Sequence, residues 1–282
     1  MEKIGLLIDS TSKTRDDLRD YNFIKVAQLK VTVDDKTYDE CELTKAEMIG
    51  YITDNKKLLT SQPSPAEFLD TFRQFYDEGY THIFGVVLSS KISGTYQSAL
   101  IAKSMIDFDL EVDIHSPDVA SYGVSLGVQK LAEMIKNGKS YKEVENRYYV
   151  LFNKPLVKFT LGDLMNLFRG GRLSRVQAFL GKVMRIKPII KMIEGKLDLV
   201  KKERTNLACI NNFMAEIDEY VNSYKKVYLD IINIDMDDAV NKLLKMVKEK
   251  YKEVEIHLTD YLSPVFYSHL GKKGFGIGIV AE

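Results

Sequence analysis

The sequence has no excess charge of either sign: forty lysines and arginines stand against forty aspartates and glutamates. Nothing global therefore draws the chain to nucleic acid or to an anionic membrane, and any basic patch has to be local. Cysteine is scarce. Cys41 and Cys209 lie far apart and form no Cys-x-x-Cys pair or metal-ligand spacing, which makes two buried free thiols the expectation. No apolar run approaches the roughly 20 residues that cross a bilayer. Met1-Glu2-Lys3-Ile4-Gly5 leads straight toward a strand without a basic region and an apolar segment, so the expectation is a cytoplasmic protein. Catalytic signatures are missing too. There is no Gly-x-x-x-x-Gly-Lys-Ser/Thr phosphate loop, no Gly-x-Ser-x-Gly elbow and no His-Glu-x-x-His pair. Gly274-Phe275-Gly276-Ile277-Gly278 lies too close to the last residue for the helix and strand a dinucleotide site needs. The single Arg169-Gly170-Gly171-Arg172 segment, in a neutral chain, reads as a solvated loop or an anion contact rather than an RNA motif.

What is present is core. At 282 residues and 45% hydrophobic, the chain has material for two domains of ordinary size. Strand and helix alternate through the first half, with strands at 4–8 and 23–33 and one ending at Leu88. Helices follow at 45–53, 65–78, 95–105 and 122–136, and another opens at the capping box Ser140-x-x-Glu143. Such alternation implies a largely parallel sheet covered on both faces, with ligands beyond the carboxyl ends of its strands. Pro155 marks a boundary, giving domains 1–154 and 155–282. The second half contains a strand at 157–161, a hairpin of 187–193 and 196–202 about Glu194-Gly195, and further helices and strands. The expected fold is therefore α/β in two parts, a parallel-sheet domain followed by a domain with a mixed or antiparallel sheet.

Two hydroxyl-rich turns stand out. Thr60-Ser61-Gln62-Pro63-Ser64-Pro65-Ala66-Glu67 and Ser89-Ser90-Lys91-Ile92-Ser93-Gly94-Thr95-Tyr96-Gln97-Ser98-Ala99 each open a helix. Each offers free backbone N–H groups and hydroxyls to an anion. Taken singly, either is also an ordinary cap: Ser64-Pro65-Ala66-Glu67 is a capping box with proline at the first helical position.

Together these turns resemble the signature of the DegV family of lipid-binding proteins, almost letter for letter. Ile8-Asp9-Ser10 is similar to the family's N-terminal Thr-Asp-Ser. Gly171-Arg172-Leu173-Ser174, Ile186-Lys187-Pro188-Ile189-Ile190, and Gly195-Lys196-Leu197 followed by Arg204-Thr205 resemble its later motifs. The family's His-Thr-Gly-Pro-Gly becomes His269-Leu270-Gly271-Lys272-Lys273-Gly274 here, keeping the histidine and first glycine, losing the proline and gaining two lysines.

The resemblance implies a two-domain plan with a long-chain fatty acid between the domains and no cofactor or metal. It assigns the carboxylate to Thr60, Ser61, Ser93, the Gly94 N–H and His269. Gln62 would orient the first turn, and Arg172 and Arg204 would support the head group or an acyl phosphate. A buried acyl chain is worth about 0.8 kcal/mol per methylene, whereas a buried carboxylate needs donors or a cation. Hydroxyls and arginines suit that need. The alternatives for the same residues are Ser93 as a helix cap, Arg172 and Arg204 as solvated groups, and His269 as a loop residue. The tail would lie along apolar stretches such as 120–135, 159–168 and 176–183, which core packing also explains.

The implied activity resembles that of the fatty-acid-binding subunit of a bacterial fatty-acid kinase, active in phospholipid metabolism. A separate ATP-binding kinase subunit would phosphorylate the bound carboxylate, with transient contact to an acyltransferase or a membrane surface. Such a chain presents substrate and is not itself the enzyme. Two other readings stand beside it, a lipid sensor or transport protein without a kinase, and a stand-alone hydrolase using a Ser or Thr near His269.

Overall fold

The computed structural model describes residues 2–12, 21–173 and 186–282. Its N-terminal sheet is parallel, with β1 (Ile4–Asp9) between β2 (Ile24–Ala27) and β6 (His82–Val86), and β7 (Glu111–His115) beyond β6. Successive side chains of a strand face opposite ways, and β1 uses both. Leu7, with Ile83 and Val87, packs beneath helices α2 (Pro65–Asp77) and α3 (Thr95–Ser104), against Phe68, Phe72, Phe75 and Ala99. Leu6 and Ile8, with Phe84 and Val86, face the other way into a central layer formed by α4 (Tyr122–Lys136) and α5 (Tyr141–Leu151).

That central layer is shared with a six-stranded sheet from the second half. Its strands are β8 (Leu156–Leu161), β9 (Lys187–Ile193), β10 (Lys196–Glu203), β11 (Val227–Ile234), β12 (Glu255–Thr259) and β13 (Gly274–Ala281). They run in the order β10-β9-β8-β13-β11-β12, and only β11 and β12 pair in parallel. Here too the strands alternate. Ile190 and Ile232 point into the central layer, while Ile189 and Ile231 meet α7 (Asn206–Ser223) and α8 (Asp237–Lys250) on the far face. The order of layers is thus helix, parallel sheet, helix, mixed sheet, helix.

Several expectations need correction. The segment 23–33 is not one strand: it breaks at Gln28-Leu29, and β3 (Lys30–Val33) leaves the parallel sheet. There it pairs with β4 (Lys36–Asp39) and β5 (Leu58–Ser61) in a separate antiparallel sheet. Thr60 and Ser61 therefore sit on a strand end, held by backbone pairing to Val31 and Lys30, not in a loop beyond the parallel sheet. The apolar stretch 159–168 covers the end of β8, where the strand at 157–161 is expected, and most of the short α6 (Met165–Arg169). His269 lies in the last turn of α9 (Pro264–Leu270), which packs against β3, β5 and α1 (Lys45–Thr53). Of the two thiols only Cys209 is buried; Cys41 is exposed. No helix among the described residues is long and apolar enough to cross a membrane.

Candidate functional site

Between the two large sheets, roofed by α9, lies a narrow cavity that opens to solvent at its mouth. Its walls are overwhelmingly apolar. Leu88 and Ala120 come from the N-terminal half, Phe159, Met192 and Ile232 from the mixed sheet, and Phe266 from α9. Among the described residues the polar lining is short: Thr60, Ser61, Gln62, Ser93, Ser121, Arg172 and His269. A dry slot with a few convergent polar groups suits a ligand with a long apolar body and a small polar head.

One pair of these polar groups is bonded directly, and two more are held by neighbouring residues. Thr60 Oγ1 and His269 Nε2 are 2.9 Å apart. With the ring proton on Nε2, the imidazole donates to the threonine and leaves the Thr60 O–H free to donate to a ligand. The His269 pKa falls to about 4, chiefly through burial and secondarily through the charge of Arg172, so the ring is neutral near pH 7. Arg172 is fixed by donating from Nε to the Ile92 carbonyl (3.2 Å) and from Nη1 to the Gly170 carbonyl (2.7 Å). A guanidinium has five N–H groups, and two are engaged among the described residues, which leaves three for an anion in the cavity that Ser93 also lines. Ser93 Oγ lies 2.9 Å from Thr95 Oγ1 and accepts from the Thr95 N–H at 3.3 Å, at the start of α3.

Backbone approach holds this cluster in shape. A Cβ on Gly170 would fall 2.3 Å from His269 Nδ1, and one on Gly94 would fall 3.0 Å from Gln62 Nε2. Glycine is thus required where the α6 end meets the imidazole, and Gln62 lies over the second turn, joining the two hydroxyl segments. Behind them runs a buried carboxylate network. Asp9 accepts from the Leu88 N–H (2.6 Å) and from Thr11, anchoring the start of the second turn. Ser10 accepts from the Leu29 N–H at 2.9 Å and donates to Glu40. Glu40, 2% exposed, accepts from the Val265 N–H (2.8 Å) in the first turn of α9, the helix that carries His269. Burial pushes the Asp9 and Glu40 carboxyls above their ordinary values.

Of the residues singled out from sequence, Thr60, Ser61, Gln62, Ser93, Arg172 and His269 line one cavity, with Gly94 directly under Gln62. Arg204 does not join them. It follows the last residue of β10, is exposed, and lies outside the cavity lining, because the hairpin carries its own end away from the turns. Ser174 and the apolar stretch 176–183 fall outside the described residues. Ser121 was missed. It lines the cavity on a backbone at φ 57° and ψ −133°, and its buried Oγ has no partner among the described residues. Positive φ at a non-glycine is the kind of strain found at functional sites, and no sequence pattern advertises it.

Comparison with known proteins places these features in context. Residues 3–282 match the family model described as "Uncharacterised protein, DegV family". A DegV domain-containing protein of Staphylococcus aureus strain COL is 30% identical over 285 residues, covering all of both chains. Among solved structures, a fatty-acid-binding DegV family protein from Thermus thermophilus superposes with a TM-score of 0.88 at 27% identity, over 99% of this chain and 100% of that one. DegV of Bacillus subtilis, described as a fatty acid binding protein, gives 0.88 at 27% identity over 100% of both.

Proposed function

The chain belongs to the DegV family, and we propose that it binds one long-chain fatty acid in the cavity between its sheets and presents the carboxylate to a separate ATP-dependent kinase subunit. The observation that carries this reading is the apolar cavity with its cluster of Thr60, Ser93, Arg172 and His269. Residues 1–154 supply the hydroxyl turns and residues 155–282 complete the pocket. The tail provides affinity, on the order of 10 kcal/mol gross for a long acyl chain before ordering costs. The head is held by the Thr60, Ser61, Ser93 and Ser121 hydroxyls, the Gly94 N–H and the unengaged N–H groups of Arg172. That guanidinium also suits the higher charge of an acyl phosphate. The fatty-acid-binding relatives from Thermus thermophilus and Bacillus subtilis favour the ligand class.

The hydrolase reading is weaker on two counts. Thr60 and His269 are within nucleophile–base distance, but His269 Nδ1 is buried without a partner among the described residues, and none of these supplies the third group that would orient the ring. An imidazole with a pKa of about 4 is also a feeble base at neutral pH.

Mass spectrometry of lipid extracted from the purified, undialysed protein tests the ligand, with Ser93→Ala as the paired control. Near-stoichiometric fatty acid is expected in the parent. Loss of the Ser93 hydroxyl is expected to weaken retention about fivefold, equivalent to one hydrogen bond of about 1 kcal/mol. An empty protein that also fails to take up added fatty acids would reject the reading. Hydroxylamine trapping of acyl phosphate, with ATP and a kinase subunit present, tests the coupling separately.

A further inference from the structure

On the outer side of the partition formed by α6 and α9 lies a second cleft, and its lining has the opposite character. It is bounded by Arg169, Asn166, Asp163, Asn55, Lys272 and Lys273, and it shares Leu270 with the apolar cavity. The segment Arg169-Gly170-Gly171-Arg172 sends one arginine to each side, Arg172 to the cavity and Arg169 to the cleft. The chain from His269 to Lys273 is divided in the same way, with the histidine inside and the two lysines outside. These lysines follow Gly271, where the resembled His-Thr-Gly-Pro-Gly motif has its proline.

Among the described residues these charges have few charged partners. Arg169 makes no ion pair or hydrogen bond among the described residues, and Lys272 Nζ is braced by the Thr53 hydroxyl at 3.0 Å. Lys273 comes within 3.8 Å of Asp235, but both groups are more than half exposed, so that pair is weak and screened. The one acid in the cleft among the described residues, Asp163, already accepts the Met165 N–H at 2.9 Å. Three cations against one carboxylate leave a surplus of two, and the Asn166 amide nitrogen would lie 2.9 Å from a Cβ placed on Gly271, at the wall of the same cleft. We infer that this cleft is a second anion site, built to take a phosphate dianion beside the head-group end of the cavity. Its space, about 360 Å³, leaves room for more than the phosphate itself, and a surplus of two positive charges beside amide donors matches the charge of a phosphate dianion. This inference does not rest on the fatty-acid reading, and the two fail independently.

Calorimetric titration of the full chain with pyrophosphate at low salt, in lipid-loaded and delipidated forms, provides the test. One saturable site is expected, weakening as salt is added. The exposed double substitution Lys272→Ser and Lys273→Ser is expected to weaken binding about tenfold, the loss of about 1.4 kcal/mol of charge-assisted bonding. The same variant should leave bound fatty acid and melting temperature unchanged. Arg172→Gln, on the cavity side, should leave pyrophosphate binding intact. Absence of a saturable site overturns the inference, as does equal binding by the double variant, or loss on Arg172→Gln alone. Phosphatidylcholine vesicles with and without phosphatidic acid, whose phosphate is a monoester, identify the source. Lysine-dependent capture on the anionic vesicles points to a lipid phosphate, whereas pyrophosphate binding without capture points to a soluble phosphate-bearing molecule, and either outcome supports the site.

Discussion

Acidification should cost this protein stability through His269, and the size of the cost follows from its surroundings. Burial, helped by Arg172, lowers the imidazole pKa from 6.5 to about 4. A depressed histidine favours the neutral form in the folded state, so at pH 7 folded and unfolded chains are both neutral there and little is at stake. As pH falls below 6.5 the unfolded chain takes up a proton that the folded chain refuses, and stability drops until the folded pKa is reached. The loss is about 2 kcal/mol between pH 7 and 5, approaching roughly 3 kcal/mol below pH 4. Urea unfolding of delipidated protein at pH 7 and pH 5, compared with His269→Gln, isolates the effect, because the other buried groups titrate alike in both. The parent is expected to lose about 2 kcal/mol more than the variant. A bound carboxylate adds an opposite charge beside the ring, so fatty acid should raise the pKa and take up a proton, tightening binding as pH falls from 7 toward 6. Titration of the His269 ring near 6.5 by NMR in delipidated protein, or identical acid sensitivity in parent and variant, would refute the reasoning.

Gly170→Ala places a methyl group where His269 Nδ1 now stands, 2.3 Å from the new carbon. The ring should be driven off Thr60, with a changed histidine NMR signal and a fall in retained fatty acid; an unmoved signal would show that the partition yields instead. Glu40→Ala leaves the Val265 N–H and the Ser10 hydroxyl without their acceptor. It should cost on the order of 2 kcal/mol in urea unfolding. Glu40→Gln keeps an acceptor for the helix and should recover at least half of that, whereas equal losses would mean that charge, not the hydrogen bond, fixes α9.

How much of this was legible in the sequence depends on the distance over which each feature is decided. Capping boxes such as Ser64 with Glu67 and Ser140 with Glu143 are settled within one turn, and both form as the pattern implies. The hairpin about Glu194-Gly195 is equally local, and it forms with Ile193 paired to Lys196 across the turn. The break at Gln28-Leu29 is not local: Leu29 N–H donates to Ser10, 19 residues earlier, and β3 finds partners in strands that a run of apolar residues cannot name. The link from Glu40 to Val265 spans 225 residues, and the one from Thr60 to His269 spans 209. Such partners place the site, and periodicity carries no trace of them. The same distinction resolves the two hydroxyl turns, which read equally well as caps or as anion sites. Ser64 is a cap, since its hydroxyl and N–H both bond to Glu67. Thr60 is no cap, because its hydroxyl meets a histidine from the far end of the chain. Ser93 belongs to both classes, holding the Thr95 N–H while lining the cavity. The choice between cap and site is therefore made hydroxyl by hydroxyl, by whichever partner folding brings within reach.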